Sequence, residues 1–245
     1  MGEPDADEVL VERSGGVAAL TLNRPRRRNA LTVASVRELT GAVTAALGDP
    51  DVGAVLLRGA DHCFCSGIDL RAADTAADGA LDPAWSGRFH DAWLGLHRTL
   101  AAADKPVVAA LERAAVNAGA ALALSADLLV AGRTAFLQIA EVERDMVARI
   151  NLAWLVAKYG SGRALDLTLT GRRADGDELY RLGMAHACVE DDAVLHTAGE
   201  LATRLAGLPR TGVAQTKRLV RALERDHAPG VSLDLASGAD LGGAR

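Results

Sequence analysis

An α/β domain of parallel strands joined by helical crossovers is the fold class that this chain predicts, on three observations. Residues 52–57, 106–111 and 128–131 are short apolar runs with the length and the β-branched or small apolar content of buried strands. The first two each lead into a loop of small residues and then toward a stretch whose apolar positions repeat at helical spacing. Strand and helix signals alternating at short intervals favour parallel pairing through crossovers over a meander of hairpins.

Taken in order, the elements follow from local chemistry. Residues 8–13 and 17–22 read as two strands around Ser14-Gly15-Gly16, a turn-forming trio that makes a hairpin. Residues 23–29 break the pattern with Pro25 and with Arg24, Arg26, Arg27 and Arg28, which for a generic protein is a solvated loop. Thr32 is a candidate N-cap for a helix to about Leu47, with Val33, Val36, Leu39, Val43 and Leu47 on one face and Gly48-Asp49-Pro50 as the stop. Trp85, Phe89, Trp93, Leu96 and Leu100 recur at spacings of three and four and predict an amphipathic helix whose aromatics pack the core; His90 and His97 ride on it as surface or packing residues.

Residues 118–126 read as a helix, 152–159 and 161–170 as two more, with Gly171 behind them. Asp175-Gly176-Asp177-Glu178 reads as an N-cap region leading into 179–183. Residues 197–208 and 211–225 are amphipathic helices, and 228–245 is glycine-rich and weakly patterned.

The bulk properties exclude several functions. A chain of 245 residues with 49% hydrophobic and 24% charged content suits one soluble globular core. A net charge of -5 and a pI near 5.7 argue against a general nucleic-acid or anionic-membrane surface, so any anion site must be local. Residues 1–8 are acidic, without the apolar core of a targeting peptide, and no uncharged run reaches bilayer length; a cytoplasmic protein is expected. Three cysteines give no disulfide framework. A zinc site on His62, Cys63 and Cys65 is conceivable but lacks a second ligand pair, so no metal is expected.

The chemistry gathers around Phe64-Cys65-Ser66-Gly67-Ile68-Asp69-Leu70, which follows the 52–57 strand. Small residues at 65–67 let the backbone approach a ligand closely and turn an amide outward. A second loop of the same character, Glu112-Arg113-Ala114-Ala115-Val116-Asn117-Ala118-Gly119, follows the 106–111 strand and opens a helix, whose N-terminus favours negative charge. Two such loops supply the donors of an oxyanion hole.

These residues, together with Asn23-Arg24-Pro25, Arg28-Asn29-Ala30-Leu31, Lys105-Pro106-Val107-Val108-Ala109 and Ser125-Ala126-Asp127-Leu128, resemble the crotonase, or enoyl-CoA hydratase/isomerase, superfamily in order and spacing. The resemblance implies the repeated ββα spiral of the crotonase fold over residues 1–190. It also implies a helical oligomerisation region over 191–245, packing on the core or on a neighbouring subunit of a homotrimer or dimer of trimers. It implies an acyl-CoA thioester substrate, no cofactor beyond the coenzyme A of that substrate, and no nucleic-acid or membrane partner. The oxyanion amides fall on Ile68 and Ala118, and the coenzyme A contacts on Arg28, Ala30, Ser66, Asp69 and Arg71. The stretch 72–82 corresponds to a variable, often mobile loop over the acyl pocket, and the tail after Ala228 to a helix that closes the site.

Read from the residues alone, Asp69 fits a turn or capping role better than a catalytic one. Hydratases of the superfamily usually use two glutamates. Here the first position falls on Ala121 and the second on Glu141, so one carboxylate is left as general base. The glycine-rich turn that normally follows is replaced by Met146-Val147-Ala148-Arg149-Ile150-Asn151, which brings a cation near the acyl end. Single-base, isomerase-like enolate chemistry is therefore expected ahead of hydration. A non-catalytic acyl-CoA-binding or partner subunit comes second, and a hydrolase using Ser66 or Cys65 third. A competing reading makes Glu141 an exposed member of a charged segment with Glu143 and Arg144, and Arg149, if close, would favour its carboxylate.

Overall fold

The computed structural model describes residues 7–72 and 82–227; the expected pocket loop at 73–81 and the tail from Ala228 onward lie outside them. In chain order the strands are β1 (Val9–Ser14), β2 (Val17–Leu22), β3 (Ala54–Gly59), β4 (Val107–Leu111), β5 (Ala114–Val116), β6 (Leu128–Gly132), β7 (Phe136–Gln138), β8 (Arg173–Asp175) and β9 (Ala187–Val189). The helices are α1 (Val33–Gly48), α2 (Pro83–Ala101), α3 (Ala118–Ser125), α4 (Arg149–Thr170), α5 (Gly176–Arg181), α6 (Val194–Ala206) and α7 (Arg210–His227).

One sheet runs β1-β2-β3-β4-β6-β9, and β5-β7-β8 form a second. Apart from the β1–β2 hairpin, neighbours in the large sheet are parallel, as expected of crossovers. Side chains along β3, β4 and β6 alternate between two cores. Val55, Leu57, Val107, Ala109, Leu111, Leu129 and Ala131 join the main core, which α1 to α4 help to build. Leu56, Val108, Ala110 and Val130 face the other way, against Val194, Ala198, Leu201 and Ala202 of α6. A helix inside 191–245 thus covers one face of the sheet. Its last turn lies so close that a Cβ at Gly53 would stand 2.4 Å from the Ala206 carbonyl oxygen.

Local signals account for most boundaries. Thr32 caps α1 with a full capping box, its Oγ1 accepting from the Ser35 amide at 3.0 Å. Asp175 Oδ1 accepts from the Glu178 amide at 2.8 Å and starts α5. The helical stretches expected at 152–159 and 161–170 are one continuous assignment broken at Gly160, whose φ of 80° and ψ of 166° are not helical. Strands β5, β7, β8 and β9 have three residues each, too few to show a period of two; β5 falls inside the stretch 112–119 that reads as a loop, and the other three carry no strand signal. Among the described residues no helix is long and apolar enough to cross a membrane.

The packing assignment of His97 holds in an extreme form. It is fully buried, with its ring edge-on to Trp93 at 4.2 Å between centroids, and Nδ1 accepts from Trp154 Nε1 at 2.9 Å. Burial pushes its pKa down to about 3. Because the folded value lies below that of the unfolded chain, near 6.5, the unfolded state takes up the proton first as pH falls. His97 should therefore cost stability from about pH 6.5 downward, at up to about 1.4 kcal/mol per pH unit. Urea midpoints measured against pH should fall more steeply for the wild type than for His97→Phe over that range; parallel curves would refute this.

Candidate active site

The two loops flagged in the sequence are joined by strand-like pairing. Past the end of β3 the chain doubles back, and the Phe64 and Cys65 amides donate to the carbonyls of Glu112 and Ala114, each at 2.9 Å. The Val116 amide returns a bond to the Cys65 carbonyl at 3.0 Å. Leu31 holds the next segment, donating to the Gly67 carbonyl at 2.7 Å and accepting from the Asp69 amide at 2.8 Å, so Ile68 is fixed from both sides. Gly67 sits at φ 102°, where a Cβ would be strained. A Cβ at Gly119 would lie 2.3 Å from the Cys65 carbonyl oxygen, so only glycine lets the start of α3 meet the first loop. Among the described residues, neither the Ile68 nor the Ala118 amide donates to a backbone carbonyl.

Ile68, Ala118 and Glu141 line one cavity of about 400 Å³. Trp85, Phe89 and Trp93 of α2 form one wall, stacked at 5.4 and 6.0 Å. The sequence reading gave these aromatics to the core; they are buried, yet they also line the cavity. Glu141 opens the 3-10 turn Glu141–Arg144. It is half-buried, which overturns the exposed-segment reading. Burial pushes its pKa above the usual carboxylate range, opposed by an Asn151 hydrogen bond and by Arg144. The opposing cation is thus Arg144, on the same turn, whereas the exposed Arg149 contributes to the cavity lining.

The remaining candidates gather in one loop cluster beside Ile68. Arg28 is exposed, and its carbonyl accepts from the Ser66 amide at 3.0 Å, while Ser66 Oγ donates to the Arg27 carbonyl at 3.2 Å. Ala30 is buried, and its carbonyl accepts from Arg24 Nη1 at 2.5 Å. Arg71 is exposed, and its amide donates to Asp69 Oδ1 at 3.1 Å.

A model of the enoyl-CoA hydratase/isomerase family matches residues 12–236. The probable enoyl-CoA hydratase echA8 of Mycobacterium tuberculosis is 32% identical over 227 residues, covering 92% of this chain and 86% of that protein. A probable enoyl-CoA hydratase of Rhizobium meliloti is 32% identical over 232 residues, 93% of this chain and 87% of its own. The chain belongs to the enoyl-CoA hydratase/isomerase family. Solved structures agree on the crotonase fold. A probable enoyl-CoA hydratase/isomerase from Mycobacterium abscessus superposes with a TM-score of 0.79 at 32% identity, over 94% of this chain and 88% of that one. An enoyl-CoA hydratase/isomerase from Mycobacterium paratuberculosis reaches 0.85 at 25% identity, over 96% and 92%.

Within this family member the side chain of Asp69, expected among the coenzyme A contacts, is engaged as an internal brace. Its Oδ2 pairs with Arg24 Nη2 at 2.8 Å, and although burial alone would raise its pKa, Arg24 and the Arg71 amide hold it below the usual range. A carboxylate engaged in this way and carrying full negative charge is a poor partner for phosphate. Arg24 is correspondingly unavailable for a ligand, since it also pairs with Glu8 at 3.0 Å. Of the two nucleophile candidates, Cys65 is buried with its pKa pushed up to about 12, the reverse of an activated thiol, and Ser66 Oγ is engaged with the Arg27 carbonyl. His62 is engaged with Glu112 at 2.8 Å, and among the described residues no group of three metal-ligating side chains is placed to hold an ion.

Sequence reasoning missed two asparagines. Asn117, directly before the Ala118 amide, adopts φ 51° and accepts the Ala140 amide on its Oδ1 at 2.9 Å. Asn151, 3% exposed, donates from Nδ2 to the Asn117 carbonyl and to Glu141 Oε1, both at 3.2 Å. The one signal for Asn151 was its place in the stretch that replaces the family's glycine-rich turn.

Proposed function

We propose that this protein is an acyl-CoA-processing enzyme that forms the enolate of a bound thioester, with Ile68 and Ala118 as oxyanion donors and Glu141 as sole base. The observation that carries the reading is the shared cavity, where a carboxyl with a raised pKa stands with two amides that have no backbone acceptor. Two preorganised amides on a thioester oxygen stabilise the enolate and so acidify the α-carbon. A base works best when its pKa approaches the working pH, and burial moves Glu141 in that direction. Among the described residues its Oε2 is buried without a hydrogen-bond partner.

The other carboxylate position is empty of chemistry, because Ala121 is 1% exposed within α3. One group that takes a proton at one carbon and returns it at another completes an isomerisation, whereas hydration in the family normally needs two. The same alanine supports the second reading, a non-catalytic acyl-CoA-binding or partner subunit. Replacing Glu141 with Gln keeps the shape and removes the base. Exchange of α-protons into deuterated water, screened over a panel of acyl-CoA thioesters, should fall at least about a hundredfold in that variant. Exchange at the wild-type rate would eliminate Glu141, and binding without exchange in the wild type would favour the non-catalytic reading.

Coenzyme A is assigned to the loop cluster, with the exposed Arg28 and Arg71 on its phosphates and the backbone around Ala30 and Ser66 beside it. Guanidinium forks suit phosphate, and these two lie outside the internal ion-pair network that occupies Arg24. Wild-type protein should bind coenzyme A more tightly than its 3'-dephospho form, and replacing the responsible arginine with Ala should abolish the difference. Equal affinities in the wild type would exclude 3'-phosphate recognition.

A trimer or dimer of trimers is the assembly that fits the surface. Leu165 and Leu169 of α4 and Leu219 and Val220 of α7 are exposed apolar residues that a neighbouring subunit would cover. Sedimentation at micromolar concentration should return a multiple of 25.4 kDa; a mass of one chain would contradict the assembly.

A further inference from the structure

We infer that Asn151 is a positioning residue that couples Glu141 to the Ala118 amide. The geometry is a closed circuit. Asn151 Nδ2 donates both to Glu141 Oε1 and to the carbonyl of Asn117, the residue whose next peptide carries the Ala118 N–H. Asn117 in turn accepts the amide of Ala140, the residue before Glu141, on its own side chain. The base and the second oxyanion donor are therefore tied twice over, once through the Asn117 side chain and once through Asn151.

The orientation of Asn151 is fixed by its surroundings. Two acceptors, a carbonyl and a carboxylate, meet the same end of the side chain, so that end must be the NH2 group. The other end, Oδ1, is buried without a partner, as is Glu141 Oε2. A buried amide side chain that meets two acceptors in this way is poorly explained as filler, for which a small apolar residue would serve.

This inference rests on the reading of Glu141 as the base, so its test needs a measurement that does not depend on turnover. The Asn151 amide favours the carboxylate over the neutral acid, and removing it should raise the Glu141 pKa. The charged and titratable groups around Glu141 are the same in wild type and Asn151→Ala: Glu143 and Arg144 on its own turn, Arg149 on α4, and His90 on the α2 wall of the cavity. Carbon-13 NMR of labelled glutamate carboxyls, with Glu141→Gln to assign the resonance, should show the Glu141 titration moving up by about one pH unit in Asn151→Ala. Asn151→Leu, which keeps the size and removes the donor without adding a charge, should move it up as well and serves if the alanine variant does not fold.

If a thioester exchanges its α-proton, the rising limb of rate against pH should move upward by the same amount. A merely structural role would lower the melting temperature and leave both titrations where they were. A folded variant with an unmoved Glu141 titration overturns the inference. A shifted titration in a protein that exchanges no thioester upholds the coupling while the catalytic reading of Glu141 fails.

Discussion

The close approach of the second loop to the first, with Gly119 against the Cys65 carbonyl, is the constraint on which the remainder of the site depends. Parallel pairing of β3 with β4 sends the chain out of both strands at the same end of the sheet. That alone brings two loops near each other without aligning them. Alignment comes from the strand-like bonds between 64–65 and 112–116, which set their relative register, and from the lack of a Cβ at residue 119. A side chain there would push the start of α3 away from the first loop and separate the Ala118 amide from the Ile68 amide. Leu31 completes the arrangement from the third side, gripping the backbone on both flanks of Ile68.

Charge is divided sharply across this small region. Arg24 is consumed internally by Glu8, Asp69 and the Ala30 carbonyl, which builds a rigid base under the loop cluster. Arg28 and Arg71 stay exposed on top of it. The brace therefore allows a local cationic surface on a chain whose net charge is -5. Inside the cavity the balance runs the other way: aromatic walls and burial make the charged form of Glu141 costly, while Asn151 and Arg144 limit that cost. A base needs both influences, because an unrelieved buried carboxyl stays protonated and a well-solvated one is too weak.

Much of the fold and part of the site were legible in the chain because they rest on local chemistry. The hairpin around Gly15-Gly16, the Thr32 and Asp175 caps, the amphipathic α2 and the apolar runs that became β3, β4 and β6 are each specified within a few residues of themselves. Family resemblance extended this to the crotonase fold and to the candidate positions at 68, 118 and 141. Three-residue strands such as β5 and β9 carry no period to read; their identity comes from the partners they find. The same holds for charge. Nothing in the run from Arg24 to Arg28 distinguishes the brace from the free arginines, since Glu8 and Asp69 are brought to Arg24 only by folding. Trp85, Phe89 and Trp93 show a helical period that marks a buried face, but not that the face also borders a cavity.

The sequence by itself determined the class of fold and the two small-residue loops, since these are properties of residue type and spacing, while the family resemblance alone pointed to Ala121 as the place of an expected carboxylate. Only the tertiary structure decided that Glu141 is half-buried in the cavity of Ile68 and Ala118, that Asp69 is a brace and that Asn117 and Asn151 join the Glu141 turn to the loop before α3. The reason is physical: burial, pKa and hydrogen-bond partnership depend on residues far apart in the chain. Asn151 lies 34 residues from Asn117, and no local pattern announces that the two will meet.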